Sequence, residues 1–377
     1  MNPPDTSSLV APLPEGRLDI VGDIHGEWDA LRHLLQHLGY DADGKHPQGR
    51  TLVFVGDLCD RGPDTPAVLD WVLPLLARQR VHAILGNHEI NLIRHDAKDG
   101  AGWAFPTRMV SDTPKYAPFV QASAAQLAHY MQAIGQWPVA LERDDLRIVH
   151  AAWHSPSIAQ ARPLQRGTAR PQYDHFENLA EAQAQAGAVQ QALAAERQQW
   201  PHDLEDGQQH PPFLPAHAER ELLKQTCNPL KILTTGLEQA APKAFFAGGK
   251  WRFTERLGWW DAYDESTPVV VGHYWRRFHA PVSANTRQDD LTPATGSGKS
   301  HTLHTQTDAE GLFGSLPGNA WHGLHRNVFC VDFSVGARWS ERLKHRHGAH
   351  SSQFRLGALR WPERLLVLDT GEVVQTV

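Results

Sequence analysis

Residues 18–26 read Leu18-Asp19-Ile20-Val21-Gly22-Asp23-Ile24-His25-Gly26: a short β-type run that closes on a glycine, then an acid and an imidazole held between glycines. The layout returns twice. Thr51 to Val55 leads into Gly56-Asp57-Leu58-Cys59-Asp60-Arg61-Gly62, and Val81 to Leu85 leads into Gly86-Asn87-His88-Glu89. Helical stripes lie between the runs. Trp28, Leu31, Leu34, Leu35 and Leu38 share one face of Glu27 to Leu38. Val68, Leu69, Val72 and Leu76 share one face of Thr65 to Leu76, where Pro74 is expected to end or kink the helix. Strand–helix–strand–helix–strand predicts an α/β fold with a mostly parallel sheet. In such sheets ligands gather beyond the carboxyl ends of the strands, where all three motifs sit.

Outward from this stretch the signals thin. Met1 to Gly16 is rich in Pro and Ser, without a basic start or an apolar core, and reads as a flexible lead-in (1–16), not a secretory signal. Gly100 to Phe119 has no period and reads as a loop over the site. Ser123 to Ile134 reads as a helix, and Val139 to Leu141 and Leu146 to Val149 read as strands, the second closing at His150. From about Ser155 to Pro242 the composition changes. Asn178 to Gln199 is dominated by Ala, Gln and Glu and should be helical, so residues 155–242 are expected to form a cap-like helical insertion in a domain spanning 17–377. Pro268 to Val271 is a strand ending at Gly272-His273. Residues 284–318 are polar and Gly-rich, a second, loop-like insertion. Asn327 to Asp332, Phe354 to Leu359 and Leu365 to Asp369 look like further strands; the basic, His-rich Arg338 to His350 reads as a solvated loop.

The composition bounds the function. With 377 residues, 41% of them hydrophobic, the chain can bury a core, and no apolar run approaches the length needed to cross a bilayer. A net charge of −6 argues against bulk nucleic-acid binding. Cys59, Cys227 and Cys330, with no CxxC pair, argue against a disulfide framework and exclude a cysteine zinc site by count; a reducing cytoplasm fits.

Carboxylates favour hard divalent cations and imidazoles suit zinc and iron, so a mixed Asp/His/Asn set points to Mn²⁺, Fe or Zn²⁺. In an extended segment Asp23 and His25 would project to one side and reach one cation, with Ile24 turned into the sheet. Asp57, at the next strand end, can bridge two cations, and Asn87, His150 and His273 can complete the second. His150 is preferred to His154 because it directly ends its strand. Two cations about 3.5–4 Å apart clamp a phosphoryl group and acidify a water between them.

The order GDxHG, GDxxDRG, GNHE, then a His after one strand and Gly-His after another, resembles the calcineurin-like metallophosphoesterases. Within them it is most similar to the phosphoprotein-phosphatase branch and its bacterial relatives: Ser/Thr phosphatases, symmetrical diadenosine tetraphosphatases and the phosphatase domain of polynucleotide kinase-phosphatases. The likeness is specific over Leu18 to Leu92, weaker at His150 and His273, and returns at Val331 to Gly336 and Leu356 to Arg360. It implies a four-layer αββα sandwich with a dimetal site at its rim, most simply two Mn²⁺ ions. It assigns Asp23, His25 and Asp57 to one metal and Asp57, Asn87, His150 and His273 to the other. It makes His88 the general acid for the leaving alkoxide, Asp60 its orienting carboxylate and Arg61 a phosphate clamp. Those roles suit the residues: an imidazolium held by a carboxylate donates a proton near neutral pH, and a planar guanidinium fork matches two phosphate oxygens. Glu89 reads as structural, a carboxylate at a helix N-terminus.

Two departures weigh against a standard protein Ser/Thr phosphatase. Ala151-Ala152-Trp153 follows His150 where that branch carries two glycines, and Val271-Gly272-His273 replaces its usual Arg-x-His. A second phosphate-binding arginine is expected, with Arg252, Arg276 and Arg277 as candidates. The expected activity is phosphomonoester hydrolysis, on a phosphorylated small molecule, a nucleotide or a phosphoprotein. Hydrolysis of dinucleoside polyphosphates is the alternative enzyme, and a metal-stabilised interaction scaffold the alternative of another class. Thr295-Gly296-Ser297-Gly298-Lys299-Ser300 lacks the upstream glycine and following helix of a phosphate-binding P-loop. The aromatic cluster Trp251, Phe253, Trp259, Trp260, Tyr263, Tyr274 and Trp275 reads mainly as core, with one or two rings available to line a cleft beside His273.

Overall fold

Apolar side chains alternate along the strands and so face two cores. The computed structural model describes residues 7–247, 249–278, 312–345 and 352–377. In the first sheet β2 (Leu18–Val21), β3 (Thr51–Phe54) and β4 (Val81–Ala83) run parallel, side by side. Antiparallel β12 (Arg355–Trp361), β13 (Leu365–Leu368) and β14 (Val373–Gln375) extend it beyond β2, and β11 (Asp332–Phe333) pairs with β12. The second sheet has the order β1 (Val10–Pro12), β5 (Ala140–Arg143), β6 (Leu146–Val149), β9 (Val269–Val271), β10 (Val328–Cys330).

Leu18, Ile20, Val53, Val55 and Leu359 of the first sheet meet Ala11, Leu141, Ile148, Val270 and Phe329 of the second in one buried cluster. Their neighbours point the other way. Val21, Leu52 and Phe54 share a core with Leu31 and Leu34 of α1 (Trp28–Leu38) and Val68 and Val72 of α2 (Thr65–Ala77). Val149, Val271 and Cys330 share it with Ile158 of α6 (Ser155–Ala161) and Leu230 and Leu233 of α10 (Pro229–Thr235). The layers are helix, sheet, sheet, helix, the αββα sandwich expected. Each buried Val, Leu or Ile stabilises by about 1.5–3 kcal/mol, and a one-residue slip would send a whole row to the wrong core, so the register is firmly set.

Several local expectations need correction. The lead-in is not free: Leu9, Val10 and Ala11 are buried, and β1 pairs in parallel with β5. Pro74 does not end α2, which runs on to Ala77; Pro74 faces solvent while Leu73 and Leu75 beside it are buried and hold the last turn in place. The presumed loop 100–119 contains α4 (Met109–Tyr116), and α5 (Ala124–Ile134) follows it, capped by Ser123. The presumed loop after Arg338 begins with a helix, Arg338–His345, because buried Arg338 is bonded to Phe354 O and Asp369 and Arg342 reaches Glu27.

In the inserted segment, α7 (Ala169–Ala184) and α8 (Gly187–Gln199) are separate helices broken at Gln185-Ala186, followed by α9 (Pro215–Thr226). Arg220 and Lys224 of α9 both bind Glu181 of α7. The segment does not revert to the sandwich at Pro242. It continues into an antiparallel pair, β7 (Glu238–Ala247) and β8 (Lys250–Arg256), whose Trp251 and Phe253 join Leu214 and Ala218 in a small core of their own. The P-loop-like stretch 295–300, and all of the 284–318 insertion before residue 312, lie outside the described residues. No helix among the described residues is long and apolar enough to cross a membrane.

Candidate metal and phosphate site

The chain turns sharply where β2, β3 and β9 end. His25, Asp57, Asp60, Arg61, His273 and Trp275 all adopt positive φ, between 48° and 74°. Non-glycine residues rarely sit there, each at a cost of about 1 kcal/mol or more, and such strain clusters at functional sites. This corrects one inference. Asp23 and His25 do not converge by extended alternation; the left-handed turn at His25 brings its Nε2 to 3.9 Å from Asp23 Oδ2. Two glycines admit the close approach. A Cβ on Gly272 would stand 2.1 Å from Asp23 Oδ1, and one on Gly86 2.2 Å from Asp57 Oδ1.

Asp57 is the hub. Its Oδ2 lies 3.3 Å from His150 Nε2, 3.8 Å from His25 Nε2 and 3.9 Å from His88 Nε2. Two sets of donors suited to a metal ion share it: His25, Asp57 and His88, and Asp57, His150 and His273. Asn87 Oδ1 joins the second, 2.9 Å from His273 Nδ1 and 3.3 Å from His150 Nε2. Two imidazoles are oriented from behind. His25 Nδ1 donates to Cys59 O at 3.0 Å and His150 Nδ1 to Val55 O at 2.8 Å, so each aims Nε2 into the site as a ligating histidine requires. In this arrangement Arg61 Nη1 donates to His25 Nε2 at 3.0 Å. A cation taking that lone pair would free the guanidinium for an anion.

The electrostatics ask for added positive charge. Asp23, Asp57 and Asp332 are all buried. Burial, then neighbouring Asp332, raises the Asp23 carboxyl well above the usual range. Burial also opposes charge on Asp57, yet the His150, His88 and His25 imidazoles hold its carboxyl well below that range. Burial disfavours charge on His150 as well, but Asp57 and Asp23 outweigh it and push the imidazole up to about 10. Burial, then Arg61, lowers His25, and burial, then Arg256, lowers His273. Asp57, His25 and His273 are thus held in the deprotonated states a divalent cation needs, and binding one would displace the protons of His150 and Asp23. The buried His273 Nε2 has no partner among the described residues. The residues fit a metal.

Beside this hub stands a proton-handling pair. His88 Nδ1 donates to Asp60 Oδ2 at 2.5 Å, leaving Nε2 facing the hub. Arg61 stacks on Trp275, its guanidinium carbon 4.6 Å from the ring centre. Arg61, Asn87 and Trp275 are the half-buried members of an otherwise buried set and so mark its mouth. Glu89 does more than sit at the start of α3 (Asn87–Ile93). Its carboxylate accepts the backbone N–H of Asp57 at 2.7 Å, Leu58 at 2.8 Å and Gly86 at 2.9 Å, clamping two motifs together. Glu89→Gln turns an amide NH₂ toward those donors. The urea-unfolding midpoint is expected to fall by the equivalent of about 1–3 kcal/mol, the cost of a buried group left unsatisfied.

Residues 16–191 match the family model described as calcineurin-like phosphoesterase. This stretch, a little under half of the chain, is similar to the calcineurin-like phosphoesterases. The chain is 40% identical over 82 residues to the asymmetrical bis(5'-nucleosyl)-tetraphosphatase of Halalkalibacterium halodurans, covering 21% of this chain and 33% of that one. It is 45% identical over 80 residues to the enzyme of the same name from Geobacillus thermodenitrificans, covering 20% and 33%. The chain thus spans about a third of the length of these curated relatives, which are named for the asymmetrical reaction, not the symmetrical one. A cold-active protein-tyrosine phosphatase of a psychrophilic Shewanella aligns over 97% of this chain and 82% of that one at 15% identity, with a TM-score of 0.44, a likeness too distant to carry a conclusion.

Within the candidate site, Asp23, His25, Asp57, Asn87, His88, His150 and His273 come together, with Asp60 and Arg61 against them. His154 does not; its Nδ1 pairs with Ser157. His88 falls in one donor set with His25 and Asp57, while Asp23, expected beside them, keeps its Oδ2 3.9 Å from His25 Nε2 and accepts the His273 backbone N–H at 3.1 Å. None of the three candidate arginines reaches the hub. Arg276 is buried against the carbonyls of Pro317 and Ala320, Arg277 lies over Phe354, and Arg252 bonds Ala247 O. The arginine whose charge bears most on His273 is Arg256 at the end of β8. Asp332 was also missed. It accepts the backbone N–H of Trp275 at 2.7 Å and of Ser334 at 2.8 Å, and the signal for it was an acid inside the apolar run Val331 to Phe333. Of the aromatic cluster, Trp275 alone is not buried.

Proposed function

We propose that the chain is a dinuclear-metal phosphoesterase that hydrolyses phosphomonoesters, with Mn²⁺ as the working metal. The observation that carries this is the single buried carboxylate, Asp57, shared by two donor sets, with an imidazole–carboxylate pair facing it. Bound divalent cations would supply Lewis acidity to the phosphoryl group and acidify a water. The chain does the rest. Asp23, His25, Asp57, Asn87, His150 and His273 hold the charge in place. Arg61, steadied on Trp275, takes two phosphate oxygens, and Arg256 adds positive charge on the His273 side. His88 Nε2 protonates the departing oxygen while Asp60 fixes the ring through Nδ1.

A second reading, dinucleoside polyphosphate hydrolysis, draws support from the names of the two relatives above. Free Cys59, Cys227 and Cys330 agree with a cytoplasmic enzyme. Turnover of p-nitrophenyl phosphate and of diadenosine tetraphosphate, each assayed with Mn²⁺ and after chelation, tests the proposal. Metal-dependent release of phosphate from the monoester is expected. Cleavage of the dinucleotide alone selects the second reading, and no turnover of either with Mn²⁺, Fe²⁺ or Zn²⁺ favours the interaction scaffold.

A further inference from the structure

The His88–Asp60 pair does not end at Asp60. The carboxylate has two oxygens, and the second, Oδ1, accepts the indole N–H of Trp103 at 2.6 Å. Trp103 is 2% exposed, and its ring lies 6.3 Å from that of Tyr130. It reaches Asp60 across 43 residues of sequence, on a turn that is itself braced. Asp112 of α4, with no exposed surface, accepts the backbone N–H of Gly100 at 3.1 Å and of Gly102 at 2.8 Å, and Arg108 holds its other oxygen at 2.7 Å. The same turn touches the residue of the phosphate clamp: the Arg61 backbone N–H donates to Gly100 O at 2.9 Å.

We infer that Trp103 is a positioning residue for leaving-group protonation, fixing Asp60 and through it His88, on a turn anchored by Asp112. This rests on the reading of His88 as the acid. The argument is one of hydrogen-bond capacity. An indole N–H can only donate, so it commits Asp60 Oδ1 as an acceptor and leaves Oδ2 for His88 Nδ1–H. One bond to Oδ2 would let the carboxylate rotate; bonds to both oxygens fix its plane, and with it the direction of His88 Nε2. A buried tryptophan also seeks a partner for packing reasons alone, but packing has no preference among leaving groups. Fixing the acid does, because protonation matters most when the departing oxygen is a poor leaving group.

The test compares kcat and KM on phenyl phosphate and p-nitrophenyl phosphate for wild type, Trp103→Phe, His88→Asn and the double variant. Trp103→Phe is expected to lower kcat about tenfold more on phenyl phosphate than on p-nitrophenyl phosphate, with KM within about twofold. In the His88→Asn background it is expected to change either rate by less than about threefold, since the two act as a unit. Equal losses on the two esters, or losses that multiply in the double variant, overturn the inference. If Trp103→Phe does not fold, Asp112→Asn keeps the indole and loosens its turn. The same bias between esters, at smaller size, is then expected, and its absence overturns the inference. No turnover by the wild type would overturn the underlying reading and this inference with it; wild-type turnover with unbiased losses overturns this inference alone.

Discussion

Asp57→Ala is expected to lose about 10³-fold or more in kcat/KM on any phosphomonoester the wild type hydrolyses, the scale on which one preorganised electrostatic group is felt. No other side chain belongs to both donor sets. Its Oδ2 faces three imidazoles, and its Oδ1 accepts the His88 backbone N–H at 3.0 Å. Removing it costs metal affinity and also frees the turn that carries His88. Alanine leaves the buried His88 N–H and the His150 imidazole without their carboxylate, a cost of about 1–3 kcal/mol each, so the variant's fold is verified alongside its activity. The check is a thermal melt with and without Mn²⁺: the ion is expected to raise the wild-type midpoint by mass action and to leave the variant's unmoved.

His88→Asn is expected to lower kcat by about 10²- to 10⁴-fold, the range for loss of a positioned acid. The deficit should shrink as the leaving group improves, because a good leaving oxygen departs without a proton. His88 also falls within a donor set, with its Nε2 3.9 Å from Asp57 Oδ2. The two roles separate in one measurement. As the acid, its loss leaves bound metal unchanged while kcat falls; as a ligand, its loss takes metal with it. The bond from Nδ1 to Asp60 leaves Nε2 free for either role, so bound metal is what separates them.

Most of the sandwich could be read from the chain, because strand-then-glycine punctuation and helical stripes are local signals. The unforeseen parts depend on partners far away in sequence. β1 forms because β5, about 130 residues later, offers an open edge beside a buried face. The helix Arg338–His345 looks like solvated loop by charge alone; what holds it is Arg338 buried against Asp369 and Arg342 against Glu27. The nine candidate site residues were legible by type and order, but not their geometry. Asp23 and His25 meet through a left-handed turn that no periodicity reveals. Arg256 went unnoticed because it lies on a hairpin expected to be over by Pro242, and Trp103 because a lone tryptophan in an aperiodic stretch carries no signal until its N–H partner is known.

The central claim is that Asp57 joins two cations in one site. Elemental analysis of the protein after reconstitution with Mn²⁺ and removal of loose ions tests it most directly. The expected result is about two equivalents per wild-type chain and well under one for Asp57→Ala. A wild type holding none, or an Asp57→Ala variant holding as much metal as the wild type, would contradict it.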